Sequence, residues 1–273
     1  STLSGNSTSG KAASGGAIFA LLCEVSVSQS TLSENSTSGE GSSGGAVCSV
    51  VLGSLSISQS TISGNQVATQ ADGGGIWFDD TVVTIVNSTV TGNSAANAGG
   101  GLGMFANGSD NKLTIHNSII AGNTASTDPD FIAPTNPAVN LEVKHSLIGR
   151  NNGTSLTATG STPDANGNLI GGNNLGAAIN PLLAPLANNG GPTQTHALEL
   201  NSPAFNRGNN ALAVDVTLAA NPPLTRDQRG TGFLRHRFGI VDMGAFESAV
   251  KDDPEGTAGN DAFFLAYSST STS

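Results

Sequence analysis

Ser60-Thr61-Ile62-Ser63-Gly64-Asn65 is the stretch on which the fold turns. Ile62 stands between two hydroxyl residues, which is the alternation of a short strand with one face inward, and Gly64-Asn65 marks a bend after it. The same phrase occurs as Ser-Thr-Leu-Ser-Gly-Asn at 1–6, Ser-Thr-Leu-Ser-Glu-Asn at 30–35 and Ser-Thr-Val-Thr-Gly-Asn at 88–93. Looser copies follow as Ser-Ile-Ile-Ala-Gly-Asn at 118–123 and Ser-Leu-Ile-Gly-Arg-Asn at 146–151. The six starts are 29, 30, 28, 30 and 28 residues apart. A period of this size is the signature of a solenoid, whose surface is built from stacked, near-identical rungs.

Outward from the phrase, each repeat holds further apolar runs. In residues 30–59 a Ser/Gly-rich turn follows Asn35, then Gly44-Gly45-Ala46-Val47 opens a second run and Leu55-Ser56-Ile57-Ser58 alternates strictly. Gly-Gly openings recur at 15–18, 73–76 and 99–102. Nothing has helical spacing, so each repeat holds two or three short strands joined by bends. The pattern predicts an all-β protein, a right-handed parallel β-helix with about 28–30 residues per turn. Its turns stack at roughly 4.8 Å. Stacking places Leu3, Leu32, Ile62, Val90, Ile120 and Ile148 in one interior column. It places Asn6, Asn35, Asn65, Asn93, Asn123 and Asn151 in a ladder at the bend, where each amide bonds to backbone and to the next Asn. Thr2, Ser4, Thr31, Ser33, Thr61, Ser63, Thr89 and Thr91 form two files of outward hydroxyls, which end at Ile119 and Ala121.

Composition narrows the function classes. Of 273 residues only 11% are charged, the net charge is −10, and 37% are hydrophobic at a fixed period that allows burial. An acidic chain without a basic stripe excludes nucleic acid as a partner. No run of 18 apolar residues provides a membrane span. Cys23 and Cys48 fall at different offsets after their Gly-Gly openings, and are either two small buried apolar residues or a disulfide. The chain starts inside a repeat without Met and is expected to be a segment of a longer protein.

The repeats fade near residue 155, leaving less regular final turns and a C-terminal cap at 156–248 and a linker into a further module at 249–273. Within the second part, Asn188-Asn189-Gly190-Gly191-Pro192-Thr193-Gln194-Thr195-His196-Ala197-Leu198, Ser202-Pro203-Ala204-Phe205-Asn206-Arg207-Gly208, Asp227-Gln228-Arg229-Gly230 and Asp242-Met243-Gly244-Ala245-Phe246-Glu247 stand in that order. Together they resemble the choice-of-anchor Q family of bacterial surface proteins. Asn206 and Met243 depart from the family pattern, where Asp and Ile are usual. The upstream repeats more weakly resemble those of polymorphic outer-membrane proteins. The resemblance implies a secreted, cell-surface right-handed β-helix held by one of several anchors, and no particular activity.

Six charged residues gather after the repeats end: Asp227, Arg229, Arg235, Arg237, Asp242 and Glu247. They are expected to form ion pairs in a cap over the open end of the coil. An Arg cluster binding an acidic sugar beside His236 is the rival reading. If the chain is an enzyme, a polysaccharide lyase or hydrolase, its candidates are Asp128, Asp130, Lys144 and Arg150, because such chemistry needs a base, a cation or paired carboxylates. Asp79 and Asp80 are neighbours that cooperate only in a turn, and Trp77-Phe78 beside them belong in the core. Ordered hydroxyl files raise ice binding as a third reading. Asp252, Asp253 and Asp261 resemble the start of a Gly/Asp calcium array, which gives calcium as the one cofactor to consider. The expected function is a non-enzymatic extracellular stalk or adhesin segment, with a surface glycan or another cell-surface ligand, and neighbouring β-helix turns or domains, as partners.

Overall fold

Three strands per repeat, separated by the Gly-Asn bend and by the Gly-Gly corner, stack into three parallel sheets. In the computed structural model, which describes residues 1–68, 70–105, 111–133 and 140–249, they form a right-handed β-helix. The phrase itself builds a sheet of seven strands: Thr2–Ser4, Thr31–Ser33, Thr61–Ser63, Thr89–Thr91, Ile119–Ile120, Leu147–Ile148 and Leu169–Ile170. A short sheet follows each bend, from Ser7–Thr8 to Ser94–Ala95. The longest strands, Val47–Ser58 and Ile76–Val86, anchor a third sheet that also holds Ile18–Leu21, Glu24–Ser28, Leu102–Phe105, Lys112–His116 and Asn140–Lys144.

Register follows the repeat. Leu3 pairs with Leu32, Leu32 with Ile62, Ile62 with Val90, Val90 with Ile120, and Ile120 with Ile148. From Leu32 onward this column is fully buried, and it packs against Leu55, Ile57, Ile85 and Phe78 of the long sheet. The Gly-Gly corner has a steric cause. A Cβ on Gly45 would lie 2.1 Å from the carbonyl oxygen of Gly74 one turn on, and Gly44 holds φ +75°.

The Asn ladder runs from Asn6 to Asn123. Each Nδ2 donates to the next Oδ1, at 2.9 Å for Asn6–Asn35 and Asn35–Asn65, 2.8 Å for Asn65–Asn93 and 2.9 Å for Asn93–Asn123. Asn151 does not extend it. Asn123 donates instead to Asp130 Oδ1 at 3.0 Å, while Asn151 Nδ2 turns to Leu156 O. The chain after Asn123 folds back and delivers a carboxylate to the rung that Asn151 would have filled.

A second ladder stands at the other corner of the phrase. The amides of Ser30, Ser60, Ser88 and Ser118 donate to the hydroxyls of Ser60, Ser88, Ser118 and Ser146 at 3.1–3.2 Å, and Ser146 N closes the row on Asn168 Oδ1. The invariant first letter of the phrase therefore has its own structural role.

After Ile170 no strand is formed among the described residues. Residues 156–180 follow the sixth repeat, and 181–248 take another course. They fold back as a strap along its flank, over the outer face of the phrase sheet. The hydroxyl files expected to face solvent are thereby buried: Thr31, Thr61 and Thr89 are at most 2% exposed, and Ser33, Ser63 and Thr91 are nearly as hidden. Only Thr2 and Ser4, in the first turn, stay exposed.

Candidate functional site

The strap docks by single, specific contacts. Thr31 Oγ1 donates to Gln194 O at 2.5 Å. Gln228 reaches between two rungs, accepting from Thr61 Oγ1 at 2.6 Å and donating to Thr31 Oγ1 at 3.0 Å. Thr89 Oγ1 accepts from Ala245 N, and Ser63 Oγ meets His196 Nε2 at 2.8 Å. Where the files end, Ile119 and Ala121 join Leu147 and Leu169 in an apolar cluster that receives Ala204 and Met243 of the strap. The break in the hydroxyl pattern is thus the apolar part of the docking surface.

Five of the six charged residues expected to pair do gather beneath it. Arg229 pairs with Asp227 at 2.5 Å and lies between the rings of Phe233 and Phe246, 4.0 and 3.8 Å from their centroids. Arg235, fully buried, donates to Asn87 Oδ1 and to Asp242 O, and its Nε lies 3.9 Å from Glu247 Oε2. Asp242 accepts from the amides of Asn206 and Ser248, and Glu247 accepts from Asp242 N. Burial pushes the Glu247 carboxyl up to about 8 and raises Asp242, against the pull of Arg235. Arg237 is exposed, lies 5.8 Å from the Phe238 ring and takes no part in the cluster. Most of these bonds hold the strap to itself, and Arg235 to Asn87 ties the cluster to the flank of the coil, where an end cap was expected.

The enzyme candidates divide. Asp130 and Arg150 line one cleft of about 430 Å³, together with Asn123, Ile179 and Asn180. Asp130 is buried, and desolvation lifts its carboxyl to about 6 although Asn123 and the Arg150 backbone amide bond to it. Arg150 Nη2 donates to Asn173 O. Asp128 lies against Gly153 and does not line the cleft. Lys144 is on the outer face of the long sheet, 2.7 Å from Glu142, which also meets His116 at 3.0 Å. Asp130 is the one carboxylate lining the cleft among the described residues. A glycosidase needs a second one roughly 5–9.5 Å away. The arrangement suits holding a small polar molecule, with Asp130 and Arg150 as opposite charges against an apolar wall.

Several expectations change in detail. Phe78 fills the core, but Trp77 points outward, in register with Phe19 and Cys48. Asp80 sits at a break in the pairing with φ +49°. Cys23 and Cys48 are both free thiols, Cys23 exposed and Cys48 buried with its pKa pushed up to about 12 by desolvation, so no disulfide joins them. Among the described residues no group of three His, Cys, Asp or Glu side chains gathers as metal ligands, and no helix is long and apolar enough to cross a membrane. The calcium candidates Asp252, Asp253 and Asp261 lie outside the described residues. No protein-family model, curated protein or solved structure matches this chain.

The strap contacts could not be read from the repeat. Gln228 and His196 carry no periodic signal, and their partners lie 167 and 133 residues away. The Ser ladder did carry a signal, since Ser opens all six copies of the phrase.

Proposed function

We propose that this chain is a non-enzymatic extracellular module, a rigid β-helical stalk or adhesin segment of a larger secreted or surface-anchored bacterial protein of the choice-of-anchor Q kind. The observation that carries the reading is the use made of the polar files: the face with the densest regular chemistry is consumed in binding the strap. Two ladders, an apolar column and a welded strap make a stiff rod, and stiffness is what a spacer needs. The splaying of Lys144 and Asp128 away from Asp130 and Arg150 supports binding over catalysis. Ice binding loses its surface, because Thr31 and Thr61 lie under Gln194 and Gln228.

A glycan array run beside a polysaccharide-degradation screen tests the reading. Retention of a glycan without release of oligosaccharides is the expected result. Reducing ends or unsaturated products, lost in Asp130→Asn, would replace it with the carbohydrate-active alternative centred on the cleft.

A further inference from the structure

Arg150 stands at the bend where every earlier copy of the phrase has Gly or Glu, and its half-buried side chain is largely uncommitted. A guanidinium carries five N–H groups. Nη2 donates to Asn173 O at 3.1 Å, and Nε is buried without an acceptor. The cation is thus anchored at one end on the wall of the cleft of about 430 Å³. Two more donors line that cleft. Asn180 Oδ1 accepts from Leu182 N at 3.0 Å, which leaves Nδ2 without a partner among the described residues, as is the Thr124 hydroxyl.

The facing wall is aliphatic: Pro129, Leu175, Ala178, Ile179 and Pro181. It is held in place, since Ile179 N donates to Gly149 O at 2.9 Å and Asn174 caps the short turn Leu175–Ala177. Asp130 is tucked against the same bend, where a Cβ on Gly149 would meet its Oδ2 at 2.5 Å. Its Oδ1 is occupied by the backbone amide and side chain of Asn123, at 3.1 and 3.0 Å.

Donors around a cation call for an anionic acceptor, and a planar carboxylate matches a guanidinium edge. The buried Asp130 carboxylate disfavours a dianion such as phosphate. A sugar would press hydroxyls against an aliphatic wall that offers them no partner, whereas a hydrocarbon chain gains by burial there. We propose that the cleft binds a small aliphatic carboxylate, its charged end on Arg150 and Asn180 and its chain along Leu175, Ile179 and Pro181. This site goes beyond the stalk reading, and the glycan screen above can succeed or fail independently of it.

The site is coupled to a proton. Burial lifts the Asp130 carboxyl to about 6, and Arg150 is the charged group that acts on it. An anion arriving at Arg150 lifts it further. Affinity therefore rises as pH falls from about 7.5 to about 5.5, where the ligand is still ionised.

Hexanoate titrated into the ¹⁵N-labelled chain tests the proposal. The expected result is a dissociation constant on the order of 1 mM, with shifts at the Asn123, Arg150 and Ile179 amides. Binding should tighten several-fold at the lower pH. Hexanamide, glucuronate and inorganic phosphate should bind more weakly. Arg150→Met should lose binding, and Leu175→Glu, at a position 82% exposed and so neutral for folding, should weaken it several-fold. Asp130→Asn, which places there the residue of every earlier rung, should remove the pH dependence. Shifts that miss the cleft, hexanamide or glucuronate binding as tightly as hexanoate, or unchanged binding in Leu175→Glu would each overturn the proposal.

Discussion

The rungs and the strap are two solutions to holding a chain together, and they differ in redundancy. A rung is fixed by small, repeated residues whose partners lie one turn away, as in Asn35 to Asn65. Each bond is modest, and its neighbours above and below repeat it. The strap is fixed by unique residues whose partners lie far along the chain, as Gln228 does with Thr61 and Arg235 with Asn87. Nothing repeats them. A repeated code tolerates a local error, whereas a docking surface made of single contacts does not.

Three experiments can break that contrast. The largest effect belongs to Arg235→Met. It removes a buried cation from Asp242 O, Asn87 and Glu247. Asp242 O and Asn87 Oδ1 are left buried without their donor, at about 1–3 kcal/mol each. The strap should become protease-sensitive and exchange its amides quickly, while the rungs keep their protection. Equal loss in both regions would show that the rungs need the strap to fold.

A smaller effect is expected at the ladder. Asn65→Ala leaves Asn35 N and Nδ2 without their acceptor and Leu32 O without a donor. At about 1 kcal/mol per lost bond, roughly 2–3 kcal/mol should disappear from the denaturant midpoint. Asn6→Ala, at the exposed first turn, should cost about 1 kcal/mol or less. A penalty that does not depend on rung position would contradict nearest-neighbour stacking.

The mildest perturbation is pH. Glu247, raised to about 8, and Asp242, also raised, hold protons in the folded protein that the unfolded chain releases at lower pH. Their stabilising contribution is complete below the ordinary carboxylate range and is lost as pH climbs through about 8. Corrected for the base-catalysed intrinsic rate, the protection of the strap amides should fall from mildly acidic to alkaline pH, with that of the central rungs unchanged. Glu247→Gln, which stays neutral, should flatten that dependence, and a strap equally stable across the range would remove the carboxyl cluster as its lock.

The amino-acid sequence by itself determined the coil. Period, strand alternation, the interior column from Leu32 to Ile148 and the ladder from Asn6 to Asn123 were all legible, because each contact joins equivalent letters of neighbouring repeats. It also marked Asp130 and Arg150 as exceptions, and these two share the cleft. Only the tertiary structure decided that Asp130, not Asn151, ends the ladder, that Arg237 stays out of the charge cluster, and that Lys144 pairs with Glu142. It alone decided that the hydroxyl files are covered. Alternation says which face of a strand a side chain takes, but not what lies over that face. The strap that lies there joins residues more than a hundred positions apart, and no local period records such a contact.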